Sequence, residues 1–368
     1  MSDDKVRPSD IQDPVTEPDP QTDPGQETTG ASEDTDLAAP AAATKAPGLF
    51  SASSVKAKLQ QALAFGTLVV LFVFFSIASP NFASISNISA VLLSTAVIGI
   101  LALGTTFVII TGGIDLSLGT GMTLCSVFTA IVMVQWGMPM LVGILAGLAM
   151  GALIGLINGL NVTMLKLPPF IATLAMMMVA QGLALILSGV KPIYFSDFPA
   201  FRMLATGSII PRVPNGVLIL FALAVIAWIV LSKTILGRYA YAIGSNEDAT
   251  RLSGVNTRGW LIGIYTLAGL FTGAAGVIIA ARLNSAQPQL GVGYELQAIA
   301  AVIIGGTSLL GGRGSIVGTL IGALIMSVLI NGLRIMSIQT EWQNVLVGIV
   351  ILLAVFADNL RHRRANAS

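Results

Sequence analysis

The chain has 368 residues, of which 54% are hydrophobic and 10% charged, whereas a soluble domain carries about 25% charged residues, so this is the composition of a membrane protein. A net charge of +1 offers no basic field for nucleic acid. One Cys (Cys125) and one His (His362) exclude a disulfide framework and a His/Cys zinc cluster, and no cofactor or metal is expected.

Residues 1–60 hold 11 of the 18 acids but 5 of the 19 bases, which leaves the body almost uncharged. The first stretch is acidic, rich in proline and poor in large apolar side chains. It cannot bury enough surface to offset chain entropy, and residues 1–55 are expected to form a disordered cytosolic tail. From there, apolar runs near the ~20 residues that cross a bilayer fall at about 62–79, 89–111, 118–137, 141–160, 169–189, 215–232, 260–281, 296–310, 315–333 and 342–358. The fold class is therefore an all-α polytopic membrane protein of about ten transmembrane helices. Its body covers 56–360, and a basic cytosolic tail occupies 361–368. With the amino terminus inside, the inner segments hold most of the bases, among them Lys166, Lys233, Arg238, Arg251, Arg258 and Arg313. The outer ones hold only Lys191, Arg202, Arg212, Arg282 and Arg334. That bias fits positive-inside orientation, and an even number of crossings places both ends inside. The run 296–310 is the shortest and ends in glycines; it either spans or re-enters within a protein-lined space.

Between the second and third spans lies Thr111-Gly112-Gly113-Ile114-Asp115-Leu116-Ser117. Asp115 is the first carboxylate after Asp36 and the last before Asp197. At a helix centre it would cost about 2.5–3.5 kcal/mol. Two glycines and an Asp can break one helix and cap the next, with Asp115 accepting from the N–H of Ser117 or Leu118. Such breaks either cap a helix near the inner face or line a transport path. Next in order, Gly143, Gly147, Gly151 and Gly155 recur every fourth residue, as do Gly314, Gly318 and Gly322. These smooth faces suit close helix packing, within the chain or between subunits.

The longest inner connection, Lys233 to Gly259, contains Ser245 and Asp248 at capping-box spacing and Gly254 as a stop. A helix of about two turns is predicted there, with Ala249 and Leu252 on one side. Either it docks a cytosolic partner or it caps the spans. Gly305-Gly306-Thr307-Ser308-Leu309-Leu310-Gly311-Gly312-Arg313-Gly314 lacks the Gly-Lys-Ser/Thr ending of a phosphate loop and is expected to be a turn between spans. Since the chain has no Walker signature, an energised transporter would need its ATPase on another polypeptide.

Three segments, in this order, resemble the permease subunit of ribose-type monosaccharide ABC importers. They are the Gly112–Ser117 break, the stretch Gly237–Asn246 running on to Leu252-Ser253-Gly254-Val255-Asn256, and the Gly305–Gly314 turn. The likeness covers about 55–360. It implies a homodimer in the bacterial cytoplasmic membrane, in contact with lipid, an extracytoplasmic sugar-binding protein as donor, and a cytosolic ABC ATPase subunit with two nucleotide-binding domains in one chain. It also implies that the inner helix is the coupling helix, carried by Ser245, Asn246, Glu247, Asp248, Ala249, Arg251, Leu252, Ser253, Gly254 and Asn256. The acidic amino-terminal tail departs from that pattern, which offers no role for it.

A sugar is neutral and rich in hydroxyls, so its path needs scattered hydrogen-bonding groups. Thr111, Asp115, Ser117, Asn158, Asn161, Thr173 and Gln181 supply that inventory, although each can equally satisfy a neighbouring helix backbone. Outside, Tyr194, Phe195, Phe198 and Phe201 in 190–214, with Gln287, Gln289, Tyr294 and Glu295 in 283–295, are candidate landing surfaces for the donor. An aromatic loop lying on the bilayer interface is the rival reading of the first group. The alternatives are an ion-coupled secondary transporter using Asp115, or an ABC permease for nucleosides or amino acids. An enzyme is not expected, because no nucleophile–base pair is evident.

Overall fold

In the computed structural model, which describes residues 52–366, thirteen α-helices succeed one another with two short strands. Most of the predicted tail, up to residue 51, lies outside the described residues, as do residues 367–368. The long helices are α1 (Ala52–Ala78), α2 (Ile85–Ile110), α3 (Leu118–Ala130, continued by a π-helical turn over Ile131–Gln135), α4 (Met140–Thr163) and α5 (Pro169–Ser188). After the short α6 (Pro199–Thr206) come α7 (Asn215–Lys233), α8 (Ile235–Ser245), α9 (Glu247–Leu252) and α10 (Thr257–Leu283). The chain ends with α11 (Tyr294–Ile304), α12 (Ile316–Ile335) and α13 (Thr340–Asn366).

Local chemistry sets the ends. Ser84 accepts from the Asn87 N–H to start α2, and Ser315 accepts from the Gly318 N–H to start α12. Proline at the first position opens α5, and left-handed Gly189 closes it. The helices α2, α3, α10 and α12 are enclosed by the rest, whereas α1 and α13 lie at the periphery with mostly exposed apolar surface, as expected of spans that face lipid.

Among the described residues, nine helices are long and apolar enough to cross a membrane. The tenth expected span is not one of them. Its helix, α11, has 11 residues, about 16 Å at 1.5 Å per residue, against ~30 Å of hydrocarbon. It stops at Ile304 because Gly305-Gly306 turns the chain, Gly306 at φ +97°. This stretch nevertheless joins a predicted outer loop to a predicted inner one. Before α11, β2 (Ser285–Ala286) pairs antiparallel with β1 (Ile193–Tyr194) of the predicted outer loop. After it, Gly311 lies against Gly244 of the predicted inner connection. An extended segment and a half-length helix thus complete one passage, which a protein interior tolerates. In a Cys125→Ala background, Gln287→Cys is expected to react with an impermeant thiol reagent from outside, and Ser245→Cys only after permeabilisation; the reverse pattern would invert the orientation.

Both glycine stripes pack within the chain. A Cβ on Gly151 would stand 2.6 Å from the Gly273 nitrogen, and one on Gly159 would be 2.8 Å from the Ile262 Cα; one on Gly155 would fall on the Tyr265 carbonyl. Thus α4 and α10 run antiparallel in backbone contact. Gly318 and Gly322 likewise meet Gly305 and the Ala301 carbonyl. Gly155→Val should therefore cost at least about 1–3 kcal/mol by overpacking. Gly182→Val, where nothing lies within 4 Å, should cost far less, a contrast readable as melting temperatures in detergent.

Candidate functional site

The break between α2 and α3 is built by the residues that the sequence singled out. Thr111 turns its hydroxyl back to the Val108 carbonyl at 2.7 Å, and Gly112 takes φ +80°, a region that a side chain disfavours. Gly113 has no room for one, since a Cβ would lie 2.6 Å from the Tyr265 hydroxyl. Asp115, 2% exposed, accepts through Oδ1 from the Ser117 N–H at 2.8 Å and the Ser117 Oγ–H at 2.6 Å. This is an Asx turn. The N-cap position of α3 is Ser117 itself, so Asp115 shapes the approach to the helix instead of capping it. Among the described residues no Lys or Arg forms an ion pair with Asp115; hydrogen bonds alone hold the buried carboxyl.

Hydrogen bonds tie the break to two other helices, α4 and α5. Because the Ser117 hydroxyl donates to Asp115, it must accept from Asn158 Nδ2, 2.8 Å away on α4. That fixes the Asn158 amide and leaves its Oδ1 without a partner; the Tyr265 hydroxyl of α10 is also unpartnered. Thr173 on α5 shares its hydroxyl between the Ile114 carbonyl (3.2 Å) and the Pro169 carbonyl (2.9 Å). Thr120 donates to the Met177 carbonyl at 3.0 Å. The structure therefore brings together Asp115, Ser117, Asn158 and Thr173, and encloses them. Asn158 is 0% exposed. Thr111 bonds within its own turn, while Asn161 and Gln181 are half-buried and no side-chain hydrogen bond joins them to the node. In this conformation Asp115, Ser117, Asn158 and Thr173 are buried and hold the break in shape. Tyr265 was missed; its signal was a lone phenol within an apolar span.

In the predicted inner connection, α8 and α9 form an elbow. Asn246 caps α9 by accepting from the Ala249 N–H at 2.9 Å; the expected cap, Ser245, is the last residue of α8. Gly254 sits at φ +85° and supplies the predicted stop. Thr250 faces inward and Thr257 donates to Glu247 at 3.2 Å, while Leu252 is 86% exposed and Asp248 pairs with Arg251 at 2.8 Å on the surface. The outer loops depart from expectation. Phe195 and Phe201 are fully buried with ring centroids 4.3 Å apart, and Glu295 is buried, accepting from the Gly293 N–H. They belong to the core, which leaves Tyr194, Gln287 and Gln289 exposed.

The three glycine-bearing segments meet. Gly312 N–H donates to the Ile110 carbonyl at 2.8 Å. A Cβ on Gly244 would fall on that same carbonyl oxygen and lie 2.6 Å from the Gly312 nitrogen; one on Gly311 would be 2.7 Å from the Gly244 oxygen and 3.0 Å from the Gly112 nitrogen. Tyr241 of α8 donates to the Gly314 carbonyl at 2.9 Å, and burial raises its phenol above the ordinary value, so it stays a neutral donor.

Residues 87–355 match the family described as branched-chain amino acid transport system / permease component. The chain is 44% identical over 307 residues to the ribose import permease protein of Escherichia coli strain K12, a match covering 83% of this chain and 95% of that one. It is 44% identical to the ribose import permease protein of Bacillus subtilis strain 168 (79% and 90% covered) and 39% identical to the fructose import permease protein of Rhizobium meliloti (78% and 82%). No solved structure matches it.

Proposed function

The chain belongs to this permease-component family, a multi-pass membrane subunit of a transport system, and from that premise we propose that it is the translocating subunit of an ATP-driven importer of a monosaccharide or related polyol. The observation that carries the reading is the capped inner helix α9. It exposes Leu252, Arg251 and Asp248 and follows directly on α8, whose end at Gly244 and Ser245 packs on the turn that reaches the helix break. A six-residue helix is marginal by itself, and its definition at both ends suits a rigid foot set in a separate motor. ATP-driven closure of that motor then rocks the membrane helices and exposes a central path alternately to either side. The similar ribose and fructose import permeases favour a sugar over a nucleoside or amino acid.

In this reading the foot is Ser245, Asn246, Glu247, Asp248, Ala249, Arg251, Leu252, Ser253, Gly254 and Asn256, and its socket belongs to a cytosolic ABC ATPase. Thr111, Asp115, Ser117, Asn158 and Thr173 fix the break beside the path, and half-buried Asn161 and Gln181 offer hydrogen bonds to sugar hydroxyls. The protein works as a homodimer among the lipids of a bacterial cytoplasmic membrane and receives sugar from an extracytoplasmic binding protein. It performs no covalent chemistry. Residues 56–360 are the permease body, flanked by the tails at 1–55 and 361–368. Affinity isolation of the chain from its native membrane in mild detergent should yield two permease chains together with an ABC ATPase; recovery of the permease without any ATPase would count against the reading.

A further inference from the structure

The Gly305–Gly314 turn has no assigned part in docking the motor or in lining the sugar path, yet α2, α8 and α13 meet on it and α1 meets the residue just past it. It bonds α2 through Gly312 N–H and the Ile110 carbonyl, and α8 through the Tyr241 hydroxyl and the Gly314 carbonyl. It packs backbone to backbone on the elbow at Gly244 and Ser245. Just past it, Ser315 accepts from Gln61 of α1 at 3.1 Å. From the last span, Asp358 Oδ2 accepts from the Ser308 hydroxyl at 3.2 Å and the Leu309 N–H at 3.3 Å.

We propose that this turn transmits movement of the α8–α9 elbow to the broken helix at Ile110–Gly113, and that Asp358 is the positioning residue that holds the turn in register for it. The physical reason is stiffness. Side-chain contacts yield by changing rotamer, whereas glycine faces place one main chain against another, and a shift of Gly244 has no side chain in which to dissipate before it reaches the Ile110 carbonyl and Gly112. Gly306, Gly311 and Gly312 all have positive φ, so the turn's path is built for this approach. The opposite end of the turn needs an anchor, or it would swing away under load. Asp358 supplies one by accepting from two consecutive residues of the turn.

The proposal rests on the functional reading, and the test separates the two. Asp358→Leu removes both acceptor bonds, Asp358→Asn keeps an acceptor oxygen, and Ser308→Ala deletes one of the two donors to Asp358, together with the acceptor of the Leu310 N–H within the turn. Each would be reconstituted with the ATPase and loaded binding protein, and sugar imported per ATP hydrolysed would be measured. Asp358→Leu should retain the ATPase and stimulated hydrolysis while import per ATP falls at least fivefold. Asp358→Asn should recover to within twofold of the parent, and Ser308→Ala should fall between them. Parental import per ATP in both Asp358→Leu and Ser308→Ala would overturn the proposal, as would a failure of Asp358→Asn to recover. If Asp358→Leu does not assemble, Ser308→Ala decides alone. A parental complex that shows no ATP-dependent import would instead overturn the functional reading beneath it.

Discussion

Asp115→Leu is expected to abolish most transport, at least tenfold in initial rate. The change removes the acceptor of the Ser117 N–H and hydroxyl, and each buried donor left unpaired costs about 1–3 kcal/mol. It also frees Ser117 Oγ from the role that fixes Asn158, so the tie between the break and α4 loosens with it. Asp115→Asn retains a carbonyl oxygen where Oδ1 stands and should transport within a few fold of the parent. That contrast matters for mechanism, because a proton or cation carrier would not survive loss of the carboxylate. Initial uptake rates, read beside melting temperature in detergent, check both variants. Equal loss in Asp115→Asn and Asp115→Leu would return Asp115 to the role of ion carrier.

The second large effect belongs to the elbow. Gly254→Val should uncouple the permease from its motor although a Cβ there meets nothing within 4 Å. The damage comes from the backbone alone: φ +85° costs an L-residue roughly 1–2 kcal/mol, more when β-branched, and relief of that strain redirects Val255 and Asn256. Arg251→Glu probes the same surface without touching the backbone. Its ion pair with Asp248 is exposed, so losing it costs at most about 1 kcal/mol, and reversed charge should weaken docking at unchanged membrane abundance. Co-isolation of the ATPase and its stimulation by loaded binding protein measure both. Parental values in both variants would return the elbow to a cap on the spans.

Features set by run length and residue type were legible in the sequence. Nine apolar runs became long helices because ~20 apolar residues have few other ways to bury themselves, and the Gly112-Gly113 break was legible because two glycines and an Asp oppose helix continuation. For the run 296–310 composition leaves spanning and re-entrance open, and the structure takes the shorter form: its apolar residues belong partly to α11 and partly to a turn. Phe195 and Phe201 read as surface aromatics, since nothing local announces that their loop folds inward and pairs β1 with β2. The cap of α9 shifted by one residue, from Ser245 to Asn246, because both are good caps and α8 claims the first. No local pattern could show the meeting of Gly112, Gly244 and Gly311. Residues far apart in sequence touch there through main-chain atoms, and glycine leaves only its smallness as a trace.

Import driven by ATP through a separate motor is most directly measured as sugar uptake into vesicles holding the permease and ATPase. Loaded binding protein is supplied outside and ATP inside, with proton and sodium gradients collapsed by ionophores. Undiminished uptake is expected under these conditions, and it should stop when ATP is replaced by a non-hydrolysable analogue. Uptake that persists without ATP hydrolysis and vanishes with the ion gradient would contradict an ATP-driven permease.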